Sequence, residues 1–287
     1  QVAAAHVRAQ FYPGLSTIAD PPAGYLVLAF FTGFAHQAVV VFFVLSGWLV
    51  GGGLMNKLNE PQAMLSYAID RVTRLWIVLV PAFLASLCVG MLVGEVHAGR
   101  ADIASTGEFS LLTFAGNMFG LQDLAVPRYG GNFALWSLTY ETWYYVLFPL
   151  GVLMFARPAP ADKVIGAVAM ALVAWYLSAA ILLYFTLWLL GAAFSRVHIG
   201  MTRGARWALA VVFAATAVWF RLYGSNNILT EESYLQDLLY SVLFLLLLCS
   251  LQSKIAAERK GIKRLGRVGD VFAGFSFTLY VIHVPLI

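Results

Sequence analysis

The chain has 287 residues, of which 61% are hydrophobic and only 11% charged, and its formal net charge is +4. Its mean hydropathy is +0.81. A soluble domain carries roughly 25% charged residues, so a water-soluble globular fold is excluded. The composition is that of an all-α, polytopic membrane helical bundle in contact with membrane lipid, with no nucleic-acid partner expected.

A spanning helix needs about 20 mostly apolar residues. The opening residues, Gln1 to His6, read as the last turns of a helix, which gives a partial first span. The next apolar stretch, "YLVLAFFTGFA" (25–35), is short and reads as interfacial or re-entrant. Spans are then expected at 36–55 and 72–94. Residues 108–121, "EFSLLTFAGNMFGL", are too short and amphipathic for a crossing and also read as interfacial or re-entrant. Further spans are expected at 136–156, 163–179, 180–195, 205–222, 233–251 and 270–287. The pair within 163–195 is tight, since 33 residues barely hold two crossings. The sum is about nine visible spans, the first and last partial, in one integral-membrane domain over 1–287 that reads as truncated at both ends. Cys88 and Cys249 both lie in apolar runs and suggest neither a disulfide framework nor a metal site. No secretory signal, low-complexity tract or internal repeat stands out.

Orientation follows from the excess of Lys and Arg on cytoplasmic loops. The loop 252–269 holds Lys254, Arg259, Lys260, Lys263, Arg264 and Arg267. With that loop inside and the spans alternating, Lys57, Arg71, Arg74, Arg157, Lys163, Arg196, Arg203 and Arg206 also fall inside. Fourteen of the eighteen basic residues then share one side, while Glu95, Asp102, Glu108, Glu231 and Glu232 lie outside. Treating 108–121 as a crossing would put the 196–206 cluster outside, so the charges favour the non-spanning reading. His6, the start of "WSLTYE" and the end of the last span point outward, and Arg71 and Arg74 sit at an inner helix end. Two polar clusters result, one at each face.

Glu141 is the acidic residue placed well inside an apolar span, with Asp237 about one turn into another. Carrying a carboxylate there costs about 2.5–3.5 kcal/mol or more. It is either an interfacial residue of an aromatic belt or a functional acid with a partner. His6 and His283 are the candidate partners. Imidazole can serve as a general base near neutral pH, with a carboxylate fixing its tautomer, although a lone helical histidine commonly just packs. His36, His97 and His198 show no metal-ligand spacing with each other. Arg71 and Arg74, at i and i+3, share a helix face, and two forks suit a phosphate; inner helix ends also collect arginines for topology alone. In "VVVFFVLSGWLVGGGLM" (39–55), small residues allow close helix packing, while Ser46 and Gly47 could equally leave room for a substrate chain.

Four segments together resemble the integral-membrane acyltransferase family three, the bacterial O-acyltransferases of exported glycans. The family's FFVLSG is matched at Phe42 to Trp48, and its R-x-x-R at Arg71 and Arg74. Its W-S-L-x-x-E-x-x-x-Y is matched at Trp136, Ser137, Leu138, Glu141 and Tyr145. Its closing S-x-x-L-Y-x-x-H-x-P is matched at Ser276, Leu279, Tyr280, His283 and Pro285. His6 falls where a first-span histidine is expected. Ile77 stands where a proline is frequent, and His36 where a glycine is common.

The resemblance implies ten spans in a full protein of the bacterial inner membrane. It also implies transfer of an acyl group, most often acetyl, from acyl-CoA (acetyl-CoA) as co-substrate, with no bound cofactor and no metal. The acceptor would be a hydroxyl of an exported or lipid-linked carbohydrate, as in exopolysaccharide O-acetylation. On this reading His6 is the general base and Glu141 orients it or holds the acceptor. Arg71 and Arg74 bind acyl-CoA, and Ser46, Trp136, Ser137, Tyr145, Tyr280 and His283 line the substrate pocket. The alternatives are succinyl transfer, a proton-coupled secondary transporter, and a structural or signalling membrane subunit. Oligomeric state and acceptor identity are not legible.

Overall fold

The computed structural model describes residues 1–94, 96, 108–156, 158–225, 229–252 and 260–287. Among them there is no strand, only an isolated bridge between Gln122 and Val126. Glu95, His97, Asp102, Arg157, Lys254 and Arg259, which entered the sequence reading, lie outside the described residues, as do the side chains of Lys260, Lys263 and Arg264. The protein is all-α and multi-pass. The helical runs Ala23–Lys57, Ala63–Val93, Arg203–Tyr223 and Tyr234–Leu251 are each long and apolar enough to cross a membrane, and Ala179–Phe194 and Gly269–Ile282 are shorter apolar helices.

The elements follow the apolar runs, with their ends set by local chemistry. The first two helices are α1 (Val2–Phe11) and α2 (Ala23–Phe31). After a break at Thr32–Phe34, α3 (Ala35–Ser46) continues through a π turn, Gly47–Gly51, into α4 (Gly52–Lys57). The next helix, α5 (Ala63–Val93), has 31 residues and starts well before the expected 72. At 1.5 Å per residue it is about 46 Å long, against about 30 Å of hydrocarbon, so it can overhang. Arg71 and Arg74 therefore lie inside a helix, not at its first turn. The short α6 (Leu111–Met118) is capped by Ser110 Oγ, which accepts from Thr113 N at 3.0 Å.

Four of the expected stretches form helices with bounds close to expectation, α7 (Trp136–Ala156), α8 (Pro160–Tyr176), α9 (Ala179–Phe194) and α10 (Arg203–Tyr223), of which α10 is long and apolar enough to cross a membrane. The tight pair is thus two helices, divided at Leu177 and Ser178, where Ser178 caps α9; upstream, Pro160 opens α8 with the fixed φ that suits a first turn. The last two are α11 (Tyr234–Leu251) and α12 (Lys260–Ile282). The final helix begins before the expected 270 and stops short of 287.

The chain forms two compact units, Gln1–Leu65 with Tyr144–Lys254, and Ser66–Trp143 with Ile255–Ile287. In the first unit α3, α9 and α11 run parallel. At one end His36 Nε2 lies 2.8 Å from Asp237 Oδ1, and the Tyr184 hydroxyl donates to Asp237 Oδ2 at 2.5 Å. At the other end Arg196 Nε donates to Asn56 Oδ1 at 3.1 Å. Between them the helices touch through glycine: a Cβ at Gly47 would overlap the backbone carbonyl of Trp188, and one at Gly191 the carbonyl of Val44.

In the second unit the segment from Glu108 to Gly131 runs down α5 and back. Gly90 faces Phe109, and Gly130 faces Ser86. Between these points Trp76 Nε1 donates to Met118 O at 3.0 Å, about 21 Å further along α5 at 1.5 Å per residue. This is the path of a hairpin folded along α5. The core beside it is aromatic: Phe83, Phe114 and Phe109 all pack on Tyr129.

Candidate active site

Irregular backbone at membrane depth must have its polar groups satisfied inside the protein, and the hairpin meets that demand with side-chain amides. Buried Asn117 donates through Nδ2 to Thr113 O and Pro127 O, at 2.8 and 2.9 Å, and accepts from Tyr129 N at 3.0 Å. Gln122 Nε2 donates to Leu135 O at 3.0 Å, and Thr139 Oγ1 returns a bond to Gln122 O at 3.1 Å. Trp143 Nε1 donates to Gly120 O at 2.9 Å. Gly120 itself has φ +68, and a Cβ there would press on Thr142, so a side chain is excluded both by the turn and by α7. The hairpin is thereby fastened to the first two turns of α7, the stretch that carries Trp136, Ser137 and Glu141.

Those turns are also fastened to α12. Tyr280 Oη is 2.8 Å from Ala134 O and 2.5 Å from Ser137 Oγ. The carbonyl can only accept, so the single phenolic proton goes to Ala134, and Ser137 donates to Tyr280. Asn132 Nδ2 donates to Val281 O at 2.8 Å. His283 lies in the turn just after α12, with Nδ1 2.7 Å from Tyr280 O. That bond places a proton on Nδ1 and fixes the ring. Trp136 is half-buried and meets Tyr140 edge to face.

Glu141 is 5% exposed, and groups from two other helices bear on it. The Tyr280 hydroxyl of α12 lies within its electrostatic reach. So does Tyr67 of α5, which also feels Arg71 one turn on along the same face. Glu141 and Arg71, which the sequence assigned to opposite faces, thus both act on Tyr67 within one unit. The Tyr67 hydroxyl is buried and makes no hydrogen bond among the described residues. Arg71 is half-buried and Arg74 exposed, so the i, i+3 pair runs from the interior to the surface.

The remaining expected residues belong to the first unit. His6 is half-buried on α1. Ser46 is buried, and its Oγ accepts from Trp188 Nε1 at 3.1 Å. The room at Gly47 is filled by α9, so close packing is what that glycine serves. Tyr145 is buried on α7, one turn beyond Glu141. No group of three or more His, Cys, Asp or Glu side chains among the described residues is placed to hold a metal ion.

A family model described as "Acyltransferase domain", acyltransferase family three, matches residues 2–287. The chain belongs to that family. It is a membrane O-acyltransferase, and the family's chemistry is acyl transfer to a hydroxyl of a carbohydrate-type acceptor. No curated protein and no solved structure matches the chain.

Several residues that shape this acyltransferase escape a reading by motif. Tyr67 carries a legible signal, because it stands four residues before Arg71 and so shares its helix face. Asn117, Gln122 and Asn132 are each an uncharged amide in a stretch already read as non-spanning, where buried backbone needs such partners. The His36–Asp237 pair has no local signal, since its members are 201 residues apart.

Proposed function

We propose that the protein transfers an acyl group, acetyl in the first instance, from cytoplasmic acyl-CoA to a hydroxyl of an exported or lipid-linked carbohydrate, and that it does so in the bacterial inner membrane. The observation that carries the reading is the buried Glu141, within reach of Tyr67 and Tyr280 in the unit that also supplies Arg71. A carboxylate in that setting is costly, and an acid kept at such cost marks a functional site.

Arg71 and Arg74 bind phosphate oxygens of the donor through their guanidinium forks. His6 takes the proton of the acceptor hydroxyl. The oxygen attacks the thioester carbonyl, the C–O bond forms, the C–S bond breaks, and coenzyme A leaves as the thiol after receiving the proton. Glu141 holds the acceptor or steadies the cationic base. Ser137, Tyr280 and His283 form the hydrogen-bonded wall beside it, with Trp136 on the same turns of α7. Succinyl in place of acetyl requires only a larger acyl pocket with the same groups.

The test is transfer of label from radiolabelled acetyl-CoA, added to membranes that contain the protein, into carbohydrate or lipid-linked carbohydrate. A positioned base contributes typically 10²–10⁴-fold. His6→Ala should lower incorporation by about that factor while the protein stays folded. Undiminished incorporation in His6→Ala would remove the base from the mechanism. Proton-coupled uptake without incorporation would favour a transporter.

A further inference from the structure

An apolar groove of about 460 Å³ lies in the first unit. It is lined by Leu15, Leu26, Phe30, Phe31 and Leu222, with Arg221 at its edge. Arg221 is built into the fold. Its guanidinium lies directly over Gly33, where a Cβ would overlap it, and Nη2 donates to Ala29 O at 3.3 Å. A second guanidinium is held beside it. Arg8 donates through Nε to Thr32 Oγ1 at 3.0 Å and through Nη1 to Tyr25 Oη at 3.4 Å. Tyr25 is itself buried and fixed by donation to Pro13 O at 2.5 Å.

The ordinary explanation for cations here is the C-terminal end of α2, to which Ala29, Phe31 and Thr32 belong. A helix end offers about half a negative charge. Two guanidinium groups bring two positive ones, and the Arg8 charge acts on Arg221. The helix end therefore carries a smaller charge than the pair it faces. A cation pair at the rim of a groove with apolar walls is complementary to one chemistry, an anionic head on a hydrocarbon chain. Basic pockets between membrane helices take anionic lipid heads in this way.

We propose that this groove binds an anionic phospholipid of the bilayer, its phosphate held between Arg8 and Arg221 and its chain lying along Leu26, Phe30 and Leu222. Arg8 and Arg221 are among the four basic residues that the charge pattern leaves on the outer side. The site thus selects a lipid from the outer leaflet, in the opposite direction to the general inward bias of positive charge.

Binding can be read without any acyl donor or acceptor, so the result is independent of the proposed reaction. The purified chain in neutral detergent is titrated with dioleoylphosphatidylglycerol, dioleoylphosphatidylcholine and inorganic phosphate, and lipid occupancy is read by native mass spectrometry. The expected result is preference for phosphatidylglycerol and little binding of either of the others. With about a factor of five per basic residue, Arg8→Gln should weaken phosphatidylglycerol about fivefold and Arg8→Gln/Arg221→Gln about 25-fold. If the double variant does not fold, Arg8→Gln, at a half-buried position, still decides. Equal binding of phosphatidylcholine would overturn the proposal, since the groove would then be reading hydrocarbon alone. Inorganic phosphate bound as tightly as the lipid, or a phosphatidylglycerol preference unchanged in Arg8→Gln, would overturn it as well.

Discussion

Tyr67 separates stability from function at the level of one atom. Its hydroxyl is buried and unbonded among the described residues, and leaving such a group unsatisfied costs about 1–3 kcal/mol. A phenol kept that way, beside Arg71 and within reach of Glu141, is placed to donate to a bound substrate. Tyr67→Phe is therefore expected to leave thermal stability unchanged or raised by up to about 1–3 kcal/mol. It should at the same time lower acyl transfer by about tenfold, the worth of one hydrogen bond near 1.4 kcal/mol. Thermal unfolding in detergent and the label-transfer assay together check this. A fall in stability with unchanged transfer would make Tyr67 a packing residue.

Elements are held in place by long-range polar contacts more than by their own propensities. The hairpin depends on Asn117, whose side chain serves two carbonyls and one backbone N–H. Asn117→Ala leaves these without their partner, at about 1–3 kcal/mol for each group left buried and unpaired. A drop of at least that size in unfolding free energy is expected, whereas a surface asparagine such as Asn56 should give much less. In the other unit His36 and Asp237 join α3 to α11, with Tyr184 of α9 on the same carboxylate. Asp237→Ala should destabilise by about 3–5 kcal/mol, the range for removing one member of a buried pair. His36→Leu/Asp237→Leu should cost distinctly less, because no polar group is then stranded. If the double variant is as unstable as the single one, the pair is not what couples these helices.

For the whole molecule, what could be read from the sequence was what local composition controls. The apolar runs gave α7, α10, α11 and the continuous helical run from α3 to α4 nearly to the residue, and 108–121, read as too short for a crossing, holds only the eight-residue α6. Boundaries failed where composition is mixed. The first turns of α5, with Tyr67, Asp70 and Arg71, look like a loop until the 31-residue helix is seen. The last helix ends at Ile282, where Pro285 steers Val284 away from helical backbone and the chain closes in a turn with the bond from Ile287 N to Val284 O. The buried acid Glu141 and the arginine pair stood out as charges in apolar surroundings. Their link through Tyr67 did not, because it depends on how α5 and α7 meet. The same holds for Tyr280, whose motif position was legible but whose bonds to Ser137 and Ala134 span more than 140 residues of chain.

The central claim, that this membrane O-acyltransferase draws on acyl-CoA through Arg71 and Arg74, is tested most directly by donor binding. The purified protein is unfolded thermally with and without acetyl-CoA, and again as Arg71→Ala/Arg74→Ala. A donor at about 100 times its dissociation constant should add roughly 2.7 kcal/mol to the folded state, and the gain should vanish in the double variant. A well-folded protein that acetyl-CoA and succinyl-CoA both leave unchanged would contradict the account.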